Sequence, residues 1–146
     1  MWLKRTGRGR AVRRTVPLLG LPGRRVARCL GRPVVVRRFA HGRRWRYPGV
    51  AFTLRSGRVT AFTLTTDRVR SAPDGAVVGG RLAAFRVALG RVVRDGRAWR
   101  AIVRAGSRYA DIRLLVVRGV VGRVTVRRRS ARQLDRAGRA LARTRR

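Results

Sequence analysis

The chain contains no glutamate and no asparagine, and only one lysine, one histidine and one cysteine among its 146 residues. Each scarcity closes a route. With Cys29 alone, neither an intramolecular disulfide nor a thiolate metal cluster can form. Cys29, His41 and five aspartates, with no glutamate, leave proton-transfer and nucleophilic chemistry little to work with. His41, beside Gly42, reads as a solvated turn residue. Asp74-Gly75 and Asp95-Gly96 read as turn dipeptides, Asp67 as part of a link, and Asp111 as a strand residue paired with an arginine. The expectation is a protein that is not an enzyme, with no cofactor and no metal site. Long apolar runs are missing too, and none approaches the roughly 18 residues of a membrane-spanning helix. Residues 1–17 lack the apolar centre of a signal peptide. Export to the cell envelope therefore requires an upstream start, and otherwise the chain stays in the cytoplasm.

What is present is arginine. Lysine and arginine number 39 against five acidic residues, a formal charge of +34. Such a surface attracts DNA, RNA, anionic lipid or cell-wall polymer through a salt-sensitive, sequence-independent term. A GC-rich genome produces the same arginine-for-lysine bias by codon drift, although drift does not explain the absent glutamate. Hydrophobic residues make up 45% of the chain and are spread along it, which argues for folding rather than charge-driven disorder.

The apolar pattern gives a layout. Residues 1–17 form a basic arm expected to be disordered. In residues 18–66, Pro22 to Leu30 carries Val26, Cys29 and Leu30 at helical spacing, with Gly31 as the stop. Strands then run from Val34 to Ala40, Arg44 to Tyr47, Val50 to Leu54 and Val59 to Thr65, with turns at His41-Gly42-Arg43 and Ser56-Gly57. Residues 67–76 are a link. In residues 77–128 the text repeats. A shift of 59 places Gly20 on Gly79 and Leu30-Gly31 on Leu89-Gly90, giving a helix from Gly80 to Leu89. A shift of 62 places Arg46-Tyr47 on Arg108-Tyr109, Phe52 on Leu114 and Gly57 on Gly119, without a gap from residue 46 to 64. Residues 129–146 carry a possible cap, Ser130, ahead of Leu134, Ala137 and Leu141 at helical spacing. That helix either packs on the outer sheet face over Leu115 and Val117 or stands as a solvated basic tail. The expected class is α+β: two tandem helix–antiparallel β-meander repeats sharing a core, plus a C-terminal helix. One continuous sheet and two separate sheets both fit the pattern.

A Gly-led helix from Gly20 to Leu30-Gly31, the strand Trp45-Arg46-Tyr47, the run Val50 to Leu54 and the turn Gly57-Arg58-Val59 together resemble the small outer-membrane-assembly lipoproteins (BamE, SmpA or OmlA). The tandem arrangement over residues 18–128 is similar to the β-lactamase-inhibitor-protein-like fold. The resemblance implies a module that binds a protein or cell-envelope component, usually after export. The lipobox cysteine of such lipoproteins has no counterpart, since Cys29 falls on the apolar face of a helix, where it is expected to be a small core residue.

The candidate recognition surface is Arg43, Arg44, Trp45, Arg46 and Tyr47, with Trp99, Arg100, Arg108 and Tyr109, which mix guanidinium groups with stacking surface. The competing reading is that Trp45, Tyr47, Trp99 and Tyr109 are ordinary sheet residues, because Tyr47 and Tyr109 fall at matching positions. The expected function is a non-enzymatic binding module for a protein or envelope polyanion. The alternative is a nucleic-acid-associated protein that holds phosphate backbone without sequence specificity, although no helix-turn-helix, RNP or zinc-finger pattern is present.

Overall fold

The computed structural model describes residues 2–3, 18–65, 69–70, 78–105, 107–134 and 138–139. In chain order these residues form β1 (Trp2–Leu3), α1 (Gly23–Leu30), β2 (Val35–Phe39), β3 (Gly42–Tyr47), β4 (Val50–Arg55), β5 (Arg58–Leu64), β6 (Val69–Arg70), α2 (Leu82–Leu89), β7 (Val93–Asp95), β8 (Ala98–Ala105), β9 (Arg108–Val117) and β10 (Val120–Arg129). Strands β1 and β6 pair with each other. The other eight make one antiparallel sheet in the order β2-β3-β4-β5-β10-β9-β8-β7.

The protein is therefore mostly β, and the expected α+β class with tandem helix–meander repeats and a C-terminal helix is corrected. Two facts decide this. Each helix has only eight residues, about 12 Å at 1.5 Å per residue, too short to persist without the sheet beneath it. And β5 pairs with β10, so the strands before and after α2 belong to one continuous sheet.

Alternation builds the core. In β4, Val50, Phe52 and Leu54 are buried, while Ala51 and Thr53 face the other side and are half-buried. Register carries the same face across the sheet through Phe52↔Phe62, Phe62↔Val126, Val126↔Ile112 and Ile112↔Ala101. Helices α1 and α2 cover this face with Val26 and Phe85, 2% and 1% exposed. Their approach is fixed by the backbone. Gly20 N–H donates to Val59 O (2.7 Å), Val59 N–H to Leu21 O (2.9 Å) and Gly23 N–H to Gly57 O (2.8 Å). Ahead of α2, Gly79 N–H donates to Val121 O (2.8 Å), Val121 N–H to Gly80 O (2.9 Å) and Leu82 N–H to Gly119 O (3.0 Å). Gly57 and Gly119 have φ +71° and +78°, a conformation that favours glycine at these turns.

Three expectations of detail change. Cys29 is exposed: Gly23 and Val26 turn the helix toward the sheet, and Cys29 lies on the flank beyond Val26. The 62-residue match of Arg46-Tyr47 with Arg108-Tyr109 fails. Trp45 pairs with Phe52 and Trp99 with Leu114, so Trp45 corresponds to Trp99 and Arg46 to Arg100. The hairpin β8–β9 continues beyond that point to Ala105↔Arg108, and Tyr109 belongs to the extension. Finally, the helix expected after Ser130 is replaced by one 3₁₀ turn, Ala131–Gln133, with Gly138 and Arg139 the helical residues described beyond it. Gln133 Oε1 accepts from Ser130 N–H at 3.0 Å, and Leu134 then turns extended (φ −74°, ψ 131°) and is buried. Ala137, Leu141, most of the arm 1–17, and Asp67 and Asp74 in the link lie outside the described residues.

Candidate polyanion-binding face

Strand alternation divides the expected recognition cluster between two faces. On the helix side, Arg43, Trp45 and Tyr47 pair with Leu54, Phe52 and Val50. Tyr47 is buried, its hydroxyl donates to Gly31 O at 3.1 Å, its ring meets Phe52 edge-on at 6.0 Å, and burial raises its pKa. Trp99 is also on this side, under the Arg86 guanidinium at 4.8 Å. On the outer side lie Arg44, Arg46, Arg100 and Tyr109. Arg100 is 3% exposed, its Nε donating to Asp111 Oδ1 at 2.8 Å and its Nη2 to Asp111 Oδ2 at 3.1 Å. Arg108 is exposed at the start of β9. The nine residues are not one site.

The outer face itself has a covered half and an open half. Over β7, β8 and β9, Leu134 packs with Ile102, Val93 and Tyr109. Beside this small cluster, Asp111 also lies 3.7 Å from Arg129 Nε, and Asp95 lies 3.7 Å from both Arg100 and Arg113. Positive charge here is met by carboxylates.

Over β2 to β5 and residues 123–127 of β10 it is not, among the described residues. A groove of about 450 Å³ is lined by Arg37, Arg44, Arg46, Arg123 and Arg127, above Ala51, Thr63 and Thr125. Thr63 and Thr125 pair across the β5–β10 seam, their hydroxyls 3.4 Å apart. None of the five arginines forms an ion pair among the described residues, although Arg127 stands opposite Asp111 in the β9–β10 register. The local pairing adds to the charge density, because Arg37 stands directly opposite Arg44. Like charges facing across strands are destabilising, so an anion in the groove relieves strain that the protein alone does not. Guanidinium groups present rigid donor forks to phosphate, sulfate or carboxylate oxygens, and the threonine hydroxyls add short donors at the floor.

Of the expected residues, only Arg44, Arg46 and, at one end, Tyr47 border this groove. Arg37, Arg123, Arg127, Thr63 and Thr125 were missed. A period-two reading of Arg123-Val124-Thr125-Val126-Arg127 puts its three polar residues on one face, but only the non-local β5–β10 pairing brings them beside Thr63 and β3. Among the described residues no three His, Cys, Asp or Glu side chains gather as a metal site, and no helix is long and apolar enough to cross a membrane.

No protein-family model and no curated protein matches the chain. Among solved structures it is similar to an extracellular protein containing an SCP domain from Bacillus anthracis str. Ames, with TM-score 0.55 and 13% identity over 75% of this chain. The chain spans 44% of the length of that protein. A DUF4309 family protein from Bacillus subtilis subsp. subtilis str. 168 matches at TM-score 0.46 and 9% identity, covering 73% of this chain and 77% of that one. The first likeness is one of fold. With the eight-stranded sheet it replaces the resemblance to the outer-membrane-assembly lipoproteins. The glycines that carried that resemblance are explained locally, since Gly20, Gly31 and Gly57 all have positive φ where a short helix meets a strand turn.

Proposed function

We propose that the protein is a non-enzymatic binding module that holds a polyanionic partner over the open half of its outer sheet face. The observation that carries this is the convergence of Arg37, Arg44, Arg46, Arg123 and Arg127 on one groove with no carboxylate partner among the described residues. Arginine and threonine side chains hold and orient oxyanions, but they neither exchange protons near neutrality nor supply an activated nucleophile. The partner's common chemistry is a row of phosphates, sulfates or carboxylates, as an envelope polymer or an acidic protein surface displays.

The test compares two triple variants that remove the same charge. Arg44→Ser/Arg46→Ser/Arg127→Ser empties the groove, and Arg25→Ser/Arg28→Ser/Arg32→Ser removes exposed arginines on and just after α1. Titrating labelled polyphosphate at several salt concentrations should show at least a tenfold loss and a shallower salt slope for the first, and less than threefold loss for the second. Equal losses in both variants would mean that charge acts diffusely and that the groove is not a site.

A further inference from the structure

A second cleft lies on the helix side of the same hairpin, between α1 and the β2–β3 turn, with a volume of about 560 Å³. Trp45 and Phe39 form its aromatic walls, and Arg24, Arg38 and Arg43 its rim. We infer that this cleft is a nucleobase subsite, and that the polyanion held by the protein is single-stranded nucleic acid. The inference rests on the outer-face reading and adds a partner class to it.

Three observations support it. First, both aromatic rings lie close to glycine backbone, where a side chain would crowd them. A Cβ on Gly23 would lie 2.5 Å from Leu54 Cδ2 and 3.1 Å from Trp45 Cη2, while a Cβ on Gly42 would lie 3.0 Å from Phe39 Cζ and collide with the Leu54 carbonyl oxygen. Phe39 nevertheless remains 41% exposed, so a ring entering the cleft finds apolar surface still facing water.

Second, the two corresponding tryptophans differ in what covers them. Trp99 is stacked by Arg86 of α2. Counting from the matched helix stops Gly31 and Gly90, the α1 position equivalent to Arg86 is Ala27, which has no group to stack. Where one tryptophan has an internal guanidinium, the other borders an open cleft.

Third, the cleft and the groove flank the same edge strand. Arg37 and Arg38 are neighbours on β2, the edge strand, and their side chains leave opposite faces of the sheet. Arginines thus stand on both sides of a path around this edge, Arg37, Arg44 and Arg46 on one face and Arg38 and Arg43 on the other. A ligand that follows this path must alternate negative charge with flat apolar rings. Unpaired nucleic acid does so, and base stacking on aromatic side chains adds affinity with little sequence preference. A sulfated or phosphorylated envelope polymer has no ring to place between Phe39 and Trp45, and a duplex keeps its bases stacked inside.

The test uses the full chain with four probes of matched length: oligothymidylate, an abasic deoxyribose-phosphate oligomer, a DNA duplex and polyglutamate. Oligothymidylate should bind about tenfold more tightly than the abasic oligomer and more tightly than duplex or polyglutamate. Phe39→Ser and Trp45→Leu should each remove most of that preference while leaving abasic binding within twofold. Phe39 is exposed enough that its variant should fold, and circular dichroism checks both. Arg44→Ser/Arg46→Ser/Arg127→Ser should weaken oligothymidylate and abasic oligomer alike. Equal binding of those two probes by the wild type, or a preference for duplex or polyglutamate, overturns the base subsite and leaves the outer-face reading standing. Failure of all four probes at low salt overturns both.

Discussion

Replacing Asp111 with alanine should destabilise the protein by about 3–5 kcal/mol, the cost of leaving a buried charge without its partner. Asp111 is 1% exposed and Arg100 3%. Two hydrogen bonds, at 2.8 and 3.1 Å, join them in a bidentate pair. Among the described residues the other carboxylate near Arg100 is Asp95, at 3.7 Å and 42% exposed at its side chain. Arg129, 3.7 Å from Asp111, loses a partner as well. Against a typical total stability of about 5–15 kcal/mol, the loss is a large fraction of the whole. Urea unfolding followed by tryptophan fluorescence measures it. The informative control is Arg100→Met/Asp111→Leu, which removes both charges and refills the volume. Because a buried pair gains little over an apolar replacement, the double variant should lie within about 1.5 kcal/mol of wild type. A single-variant loss below 1 kcal/mol would refute the reasoning, showing that water or backbone adjustment solvates Arg100. A double variant as unstable as the single would show that the pair contributes stability in its own right.

Two further outcomes follow from packing. Tyr47→Phe should cost about 1 kcal/mol through the lost hydroxyl bond to Gly31. It should also change the alkaline limb. Burial raises the Tyr47 pKa in the folded state above its ordinary 10.0, so wild-type stability is fully present below pH about 10 and falls as pH rises toward the folded-state value. Tyr47→Phe should flatten that fall, as denaturant titrations between pH 9 and 11 would show, and an unchanged slope would assign the limb to another group. Leu134→Ala should cost about 2–3 kcal/mol by uncovering Ile102, while polyphosphate affinity stays within twofold. A loss of binding would mean that the covered half of the outer face takes part in recognition.

What could be read from the sequence was local. Val50-Ala51-Phe52-Thr53-Leu54 announces its buried face by alternation, Ser56-Gly57 its turn, and Leu30-Gly31 and Leu89-Gly90 their helix stops. What could not be read depends on partners distant in the chain. Nothing near Phe62 says that Val126 lies opposite it, so neither the single sheet nor the groove along its seam was visible. The aromatic-arginine run from Arg43 to Tyr47 looked like one surface, but a strand sends neighbours to opposite faces. Hence Trp45 and Arg44 belong to different clefts. The 62-residue match failed at Tyr47 and Tyr109 because the hairpin β8–β9 is longer than β3–β4, a difference in strand length that apolar spacing does not record. After Ser130, helical spacing of Leu134, Ala137 and Leu141 suggested a helix, yet burial of Leu134 beside Ile102 required the chain to leave the helical turn.

The β5–β10 seam also has a kinetic consequence. Every other strand contact in the main sheet joins consecutive strands through a short turn, so two four-stranded meanders can form early from nearby residues. The seam brings residues 61–64 against 124–127, a long-range closure that pays its loop entropy last. Until it forms, β5 and β10 are open edges of matching register. A β10 edge from a second molecule satisfies β5 as well as the chain's own does, so refolding at high concentration should yield exchanged dimers, and dilute refolding should yield monomers.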